Sequence, residues 1–333
     1  MDLPAADLHH GRQRLYFHSS EAMPEVPDRS VDVVVTSPPY NRGKRYHPRY
    51  SDRQPSDSYH ALLDRVFREC YRTLRPGGTF FLNVGDSGTD QGKAEAVVRT
   101  AQAAGFHRHQ TLIWVKSLLG RGHFTPVRGE RNFSNVFEYV YVLVRDPPPH
   151  LDVLRVGIPY ADKSNVGRYR SSDLRDAGNV WFIPYSETTG ASVKKGHEAP
   201  FPVELPLRAL RCVPGATRAL DPFAGTGATL AAAEALGMEG IGYEAFPRPE
   251  VIRRRLETPV HVPPVLLLPE LERALRTLGS LLPPSAGREE PPGPPKDRWE
   301  EARYVLSRLR PERGPGLPGA TRGRRGPRSR RRA

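Results

Sequence analysis

The sequence is poor in cysteine, in lysine and in long apolar runs. Its two cysteines, Cys70 and Cys212, lie in apolar helical contexts, which excludes a disulfide framework and a cysteine-rich metal site. No apolar run reaches the roughly 18 residues that a membrane span needs. The first residues also lack the charged-then-apolar order of a secretory signal. These absences predict a cytoplasmic protein with two reduced, buried thiols and no membrane partner.

The basic residues are mostly arginine. The formal charge is +13, and Arg supplies 43 of the 50 basic residues. Arginine is the better fork for phosphate, which favours an anionic partner, although a GC-rich coding sequence gives the same excess. Ten of residues 283–333 are Pro and the last twenty residues hold seven Arg. We therefore expect 259–333 to be a largely disordered extension with helical segments near 269–282 and 297–310.

Two stretches of alternating strand and helix signals flank a different middle region. The first contains the β-branched strand 31–36 and a helix that Ser56 or Asp57 caps and that Pro76-Gly77-Gly78 ends. The second runs from about 201 to 244. This alternation predicts an α/β fold, a doubly wound and mostly parallel sheet. Residues 117–196 are rich in Gly, Arg, Ser and aromatics, and they read as an insertion with one or two framework strands.

A glycine corner follows the strand "RALD". In "ALDPFAGTGATLAAAEALG", Gly225-Thr226-Gly227 joins that strand to a helix, a turn that brings backbone amides against a ligand. Leu230 replaces the third glycine of the dinucleotide fingerprint, and no Gly-Lys-Ser/Thr of a Walker loop occurs. The turn predicts a nucleoside-type ligand; the alternative is a plain tight connection.

Carboxylates end two neighbouring strands of this second stretch. Asp221 ends "RALD" and Glu244 ends "GIGYE", where a carboxylate can accept both hydroxyls of a ribose. An acid beside the turn repels a pyrophosphate but suits a cationic amine. S-adenosylmethionine has that amine, a ribose and no phosphate; ordinary solvated strand ends are the alternative.

A proline corner ends the strand "VDVVVT". In Ser37-Pro38-Pro39-Tyr40 the prolines fix two φ angles and remove two backbone donors, so the corner is stiff. A polar loop, 41–57, follows and is long enough to be functional. A buried strand that ends in a polyproline turn, with Tyr40 in the core, is the alternative.

"TSPPYN" (36–41) and "DPFAGTG" (221–227) together resemble the amino-methylating, site-specific DNA methyltransferases, which methylate N4 of cytosine or N6 of adenine. Their order is similar to that of the permuted beta group. The likeness covers about residues 12–255, and "HEAPFPVELPLRAL" (197–210) is similar to the family's cofactor helix. The resemblance implies a catalytic half (1–116), a target-recognition region (117–196) and a cofactor half (197–258).

The resemblance also implies a Rossmann-like methyltransferase fold, S-adenosylmethionine as cofactor and double-stranded DNA as partner. No companion metal ligands at useful spacing accompany His197 in the sequence, which predicts no metal. A nucleoid-associated monomer or homodimer, with a cognate restriction endonuclease, is the expected setting. The implied catalytic residues are Ser37, Pro38, Pro39 and Tyr40. The implied cofactor contacts are Phe201, Pro202, Asp221, Pro222, Phe223, Gly225, Thr226, Gly227 and Glu244. The expected DNA contacts are Arg42, Lys44, Arg45, Arg121, Arg128 and Arg131.

The chemistry of amino methylation explains why a stiff corner is useful. The Ser37 hydroxyl and the Pro38 carbonyl can accept the amino protons and localise the nitrogen lone pair, while Tyr40 offers a face to a flipped base. Neither cysteine follows a proline, which excludes the covalent carbon-5 reaction. In the family, Ser at position 37 leans toward cytosine, and adenine is the alternative.

One departure from the family pattern keeps a second class of function open. Ser19-Ser20 stands where the family has Gly-Asp, whose acid contacts the adenine of the cofactor. A basic DNA-binding protein with a decayed cofactor site is therefore the alternative of another class. Methylation of RNA or protein is a further enzymatic alternative, which the recognition-sized insertion disfavours.

Overall fold

A computed structural model describes residues 6–43, 45–47, 50–86, 90–116, 133, 135–160, 164, 166–168, 173–183, 201–260 and 262, with the backbone alone for 45–47, 50 and 51. The described residues belong to one compact unit, 1–271, and residues 272–333 lie outside the described residues. The predicted tail helices near 269–282 and 297–310 also lie outside them. Within the described part of the chain, no helix is both long and apolar enough to span a bilayer.

The described unit contains thirteen strands and five α-helices among the residues that the structure describes. The strands are β1 (Leu8–His10), β2 (Gln13–Tyr16), β3 (Val31–Thr36), β4 (Arg45–His47), β5 (Tyr50–Ser51), β6 (Leu74–Val84), β7 (His107–Val115), β8 (Phe137–Val144), β9 (Ile158–Pro159), β10 (Leu174–Arg175), β11 (Val180–Phe182), β12 (Arg218–Asp221) and β13 (Glu239–Tyr243). The helices are α1 (Ser56–Thr73), α2 (Lys93–Ala103), α3 (Glu204–Arg211), α4 (Ala228–Ala235) and α5 (Pro249–Glu257).

Nine strands form one sheet in the order β1-β2-β13-β12-β3-β6-β8-β7-β11. The central strands β2, β13, β12, β3 and β6 run parallel to one another. Strand β8 is antiparallel to both β6 and β7, and β11 pairs parallel with β7. The predicted α/β fold with a mostly parallel sheet is confirmed, and β8 and β11 bring residues of the 117–196 segment into that sheet.

Helices cover both faces of the sheet. Strand β3 is buried along its whole length, and its side chains alternate between the two faces because a strand repeats every two residues. Val34 belongs to the same hydrophobic cluster as Phe67 of α1, whereas Val33 and Val35 belong to the cluster that contains Leu205 of α3. Such two-sided burial is typical of a doubly wound fold.

The predicted ends of α1 are wrong at both sides. Ser56 is already helical, and Pro55 takes the N-cap position without a side-chain cap. The helix ends at Thr73, and the Gly77-Gly78 turn expected after it lies inside β6. The helix end depends on a long-range contact. The buried Arg145, which directly follows β8, donates to backbone carbonyls at the end of the helix, including that of Leu74. These bonds satisfy carbonyls that a glycine cap would otherwise serve.

Helix α5 is a further element that the sequence prediction missed. Pro249 stands in its first turn, a position that proline favours, and Ile252 and Leu256 are spaced by one helical turn. Both are buried in a cluster with Leu8 and Leu15 of the first two strands. Cys70 and Cys212 are free and buried, as predicted.

Candidate active site

The two predicted corners lie side by side at one edge of the sheet. Strands β3 and β12 are parallel neighbours, with Val34 opposite Leu220, so their carboxyl ends meet at the same edge. The Thr36 hydroxyl at the end of β3 donates to Oδ1 of Asp221 at the end of β12 over 2.6 Å. In open α/β sheets, ligands bind in the crevice at this end of the strands.

Asp221 ties the two corners together. Its Oδ1 also accepts from the backbone N–H of Phe223 at 3.0 Å, and its Oδ2 accepts from the Thr229 hydroxyl at 2.7 Å. The residue is only 1% exposed. Burial raises the pKa of the Asp221 carboxyl to about 6, against the opposing effect of the bonds from Thr36 and Thr229. A contact between Asp221 and the cofactor stays a prediction.

The glycine corner has the backbone that a ligand-binding turn needs. Gly225 and Gly227 have φ of +54° and +83°, a region that residues with a Cβ rarely adopt. The Gly225 N–H donates to Oε2 of the half-buried Glu244 at 2.9 Å, and the Phe246 N–H donates to its Oε1 at 2.9 Å. Among the described residues each oxygen accepts one hydrogen bond, and a carboxylate can accept about four, which leaves bonding capacity for a ligand.

The groups at this corner fit S-adenosylmethionine. The Thr226 hydroxyl oxygen is buried and has no hydrogen-bond partner among the described residues, so it is free to bond a ligand. Residues 221–247 contain no Lys or Arg, which suits a ligand without phosphate. Pro222, Phe201 and Pro202 are buried and Phe223 is half-buried, so these predicted cofactor contacts are apolar groups largely shielded from water. Their roles toward the cofactor remain predictions.

The proline corner is held rigidly by its neighbours. The Tyr59 hydroxyl of α1 donates to the carbonyl of Pro39 at 2.7 Å. Asn41, at φ +54°, closes the start of the following loop with a pair of bonds to the backbone of Gln54, at 2.9 and 2.7 Å. Within the corner the Ser37 and Tyr40 hydroxyls lie 2.9 Å apart, and both residues are half-buried.

A polar network beneath this corner was missed by the sequence prediction. The Tyr40 hydroxyl donates to Oε2 of Glu138 at 2.9 Å, and the Asn83 amide donates to the same oxygen at 2.8 Å. The Lys116 ammonium pairs with Oε1 of Glu138 at 2.9 Å, with side chains only 5% and 14% exposed, respectively. One feature of the sequence could have indicated this network: a single Asn, Lys or Glu interrupts each of the apolar runs "FFLNV", "LIWVK" and "FEYVYVLV".

The network keeps Glu138 ionised and Tyr40 neutral. Burial by itself raises the pKa of Glu138, but the Lys116 charge and the donors Asn83 and Tyr40 outweigh burial, so the pKa is lowered. Burial, followed by the Glu138 charge, raises the pKa of Tyr40 well above its usual value. At neutral pH the corner therefore contains two hydroxyl groups above one carboxylate.

Of the predicted DNA contacts, the structure places the side chain of Arg42 at the site. Its guanidinium carbon lies 5.0 Å from the centre of the Tyr40 ring, and its Nη2 donates to the Gly85 carbonyl. Arg45 lies in β4, where only the backbone is described. The other predicted DNA contacts lie outside the described residues: Lys44, Arg121, Arg128 and Arg131.

The serine pair at the family's acidic position has its own partners. Ser20 is buried, and the Ser19 hydroxyl donates to Oε1 of Glu21 at 3.0 Å. The Arg65 guanidinium pairs with the other oxygen of Glu21. A carboxylate therefore follows this pair by one residue, although an arginine already neutralises it.

Comparison with known proteins agrees with this geometry. Residues 31–248 match the family model N6_N4_Mtase, described as DNA methylase. The Type II methyltransferase M.ScaI of Streptomyces caespitosus is 30% identical over 244 residues, 69% of this chain and 76% of that protein. M.MthZI of Methanothermobacter thermautotrophicus, also a Type II methyltransferase, is 28% identical over 268 residues, 69% of this chain and 72% of that protein.

A solved structure has the same fold. TTHA0409 of Thermus thermophilus, described as a DNA modification methylase and crystallised with S-adenosyl-L-methionine, is 28% identical with a TM-score of 0.50. That alignment covers 73% of this chain and 93% of the Thermus chain. With two adjoining corners, a matching family and relatives over most of its length, the chain belongs to the DNA methylase family, whose members methylate amino nitrogens of DNA bases.

Proposed function

We propose that this protein transfers a methyl group from S-adenosylmethionine to the exocyclic N4 of cytosine in double-stranded DNA, by base flipping and direct in-line transfer. The observation that carries the proposal is the adjacency of the two corners, which the bond from Thr36 to Asp221 joins. One flipped base at the Ser37 corner lies within reach of a cofactor at the Gly225–Gly227 corner.

The cofactor supplies an electrophilic methyl group on a sulfonium centre. In this proposal the Glu244 carboxylate accepts hydrogen bonds from the ribose hydroxyls, and the Thr226 hydroxyl forms a hydrogen bond to the ligand. Phe201 and Pro202 pack against the methionine part. The exposed backbone of Gly225 allows close approach, since a Cβ there meets nothing nearer than the Phe223 carbonyl at 3.8 Å.

The proline corner prepares the nitrogen for attack. An exocyclic amino group is a weak nucleophile because its lone pair is delocalised into the ring. The Ser37 hydroxyl oxygen and the Pro38 carbonyl accept the two amino protons, which favours a tetrahedral nitrogen and stabilises the charge that develops on it. Since the bond from Tyr59 to Pro39 fixes the corner, little reorganisation accompanies the step.

Cytosine is the proposed base because the corner begins with Ser37, where the family leans toward cytosine, rather than with an aspartate. The Tyr40 ring stacks on the flipped base, and Arg42, which lies against that ring, moves to a flanking phosphate. The order of the corners along the chain supports the permuted beta-group arrangement, with residues 117–196 as the target-recognition region. A restriction endonuclease with the same target is the partner that this proposal implies.

Modified-base analysis tests the proposal. The protein is expressed in a host without DNA methylation, and digested host DNA is examined for methylated nucleosides by mass spectrometry. N4-methylcytosine is expected, and its loss in cells that express Ser37→Ala ties the mark to this enzyme. N6-methyladenine alone would assign the enzyme to adenine, and an unmodified genome would contradict DNA methylation altogether.

A further inference from the structure

Glu138 is a charged group enclosed beneath the proline corner, and Tyr40 is the predicted catalytic residue that it bonds. It lies on β8, about one hundred residues from the corner in sequence, and its two oxygens bond Tyr40, Asn83 and Lys116. Gly85 leaves room for it, because a Cβ on that residue would lie 2.7 Å from Cγ of Glu138. Burial of a carboxylate is costly unless it is paired, so its position calls for a reason beyond packing.

Counting protons fixes the direction of the hydrogen bonds. The ionised Glu138 can only accept, so the single hydroxyl proton of Tyr40 points to its Oε2. The Tyr40 oxygen then has to accept across the 2.9 Å contact with Ser37, which makes Ser37 the donor. With its proton committed to Tyr40, the Ser37 oxygen can only accept: one lone pair accepts from the Asn83 amide at 3.3 Å, and the other is available to a substrate proton.

We propose that Glu138 is a positioning residue for methyl transfer, which acts through Tyr40 to orient the Ser37 hydroxyl as a proton acceptor. Glu138 is also the final acceptor when the amino proton is relayed through Ser37 and Tyr40. This inference rests on the proposed function.

The step balances in atoms and charge. The amino nitrogen lone pair forms the bond to the methyl carbon, and the carbon–sulfur electron pair stays on the leaving sulfur, which loses its positive charge. The nitrogen, now positive, gives one proton to the Ser37 oxygen, while the Ser37 proton passes to Tyr40 and the Tyr40 proton passes to Glu138. One carboxylate and one cation become a neutral acid and a neutral methylamino base, and the acid later loses its proton to water.

The charged groups around Glu138 suit this role. Lys116 faces it from the end of β7 and holds it ionised before the reaction, Arg42 lies on the outer side of the Tyr40 ring, and Asn83 of β6 is neutral. A lowered pKa at Glu138 does not block the transfer, because an amino nitrogen that is protonated while attached to a pyrimidine ring is a far stronger acid than a carboxylic acid.

Glu138→Gln, which keeps the size of the side chain, tests the proposal in the purified full chain. We expect single-turnover transfer to fall by about 100-fold. S-adenosylmethionine affinity by calorimetry and the fluorescence of a flipped cytosine analogue in duplex DNA should stay within about threefold of wild type. Asp32→Asn is the matched control, since Asp32 is a buried carboxylate that accepts from the Thr217 and Arg218 N–H groups at the opposite end of β3; it should transfer at the wild-type rate.

A double-mutant cycle separates positioning from a general loss of structure. Because Glu138 acts through Tyr40, Glu138→Gln should add little to the loss caused by Tyr40→Phe, and additive losses would overturn the proposal. A second readout needs no turnover: carbon-13 NMR should show that Tyr40→Phe raises the pKa of Glu138 in the cofactor-free protein, and an unchanged pKa would contradict the chain of bonds.

The outcomes also separate this inference from the proposed function. If Glu138→Gln methylates DNA as fast as the wild type, the role of Glu138 is wrong and the proposed function is unaffected. Wild-type protein that methylates no DNA would reject the function, and with it the role of Glu138 in transfer.

Discussion

The glycine corner and the proline corner are built in opposite ways. At the glycine corner most polar groups bond partners that are near in sequence, Gly225 to Glu244 and Asp221 to Phe223 and Thr229, and the bond from Thr36 to Asp221 is the long-range exception. At the proline corner the Ser37 and Tyr40 hydroxyls depend on Asn83, Lys116 and Glu138, which come from three other strands or their ends. The glycine turn is thus built mainly from contacts near in sequence, whereas the rigid proton acceptor depends on residues from several strands of the sheet.

The two corners also hold their carboxylates differently. Asp221 is buried among neutral hydroxyl and amide donors, so its pKa is raised to about 6, whereas the Lys116 cation lowers the pKa of Glu138. Both are enclosed by protein, and the partner decides the direction of the shift. The difference predicts that substitutions at the proline corner affect transfer and those at the glycine corner affect binding and stability.

Ser37→Ala should have the largest effect. Removal of an acceptor that acts mainly in the transition state should lower single-turnover methyl transfer by roughly 100- to 1000-fold, with S-adenosylmethionine affinity by calorimetry nearly unchanged. Ser30→Ala is the control, because the Ser30 hydroxyl bonds the Pro27 carbonyl before β3 begins. Equal losses of transfer and cofactor binding would make Ser37 a structural residue.

Asp221→Asn should remove a dependence of stability on pH. The pKa of Asp221 is raised from 3.8 to about 6 in the folded protein, so the folded state holds the proton more tightly than the unfolded chain. The free energy of unfolding of the wild type should therefore fall by roughly 3 kcal/mol relative to that of the variant as pH rises from about 4 to 7. Urea unfolding at several pH values measures this difference. If the stability of the wild type relative to the variant stays constant or increases with pH, the pKa of Asp221 is not raised in the folded protein.

Gly85→Ala should disturb the proline corner from below. The new Cβ would lie 2.7 Å from Cγ and 3.0 Å from Cδ of Glu138, so that side chain must shift. We expect a loss of about 1–3 kcal/mol in unfolding free energy and slower transfer, with unchanged cofactor affinity. Gly92→Ala is a partial control, since its Cβ meets nothing within 4 Å although its φ is +83°. A Gly85 variant that transfers at the wild-type rate would show that the position of Glu138 is not critical.

Thr226→Val should give the smallest effect. The Thr226 hydroxyl is buried without a partner in the described residues, so its removal should leave the cofactor-free protein as stable or slightly more stable. Cofactor affinity should drop by about 1 kcal/mol if that hydroxyl bonds the ligand. Thr229→Val provides the contrast, because its hydroxyl bonds Asp221 and its loss should lower stability. Unchanged affinity in Thr226→Val would remove this residue from the cofactor site.

The sequence predicts those features that depend on local order. The α/β alternation, strands β3 and β12 and the turn at Gly225–Gly227 all follow from residues within one segment. The end of α1 could not be predicted in this way, because Arg145, more than seventy residues away, bonds the last carbonyls of the helix. The partners of Glu138 could not be predicted either, since nothing in "FEYVYVLV" indicates which side chains its carboxylate will contact.

A ternary structure tests the central claim most directly, since that claim is that one flipped base bridges the two corners. The full chain would be crystallised with target duplex DNA and a cofactor analogue that cannot transfer its methyl group. We predict a cytosine whose N4 lies within hydrogen-bond distance of the Ser37 hydroxyl and the Pro38 carbonyl, roughly 3–3.5 Å from the carbon to be transferred. A base bound away from Ser37, or a cofactor bound away from Gly225–Gly227, would contradict the account.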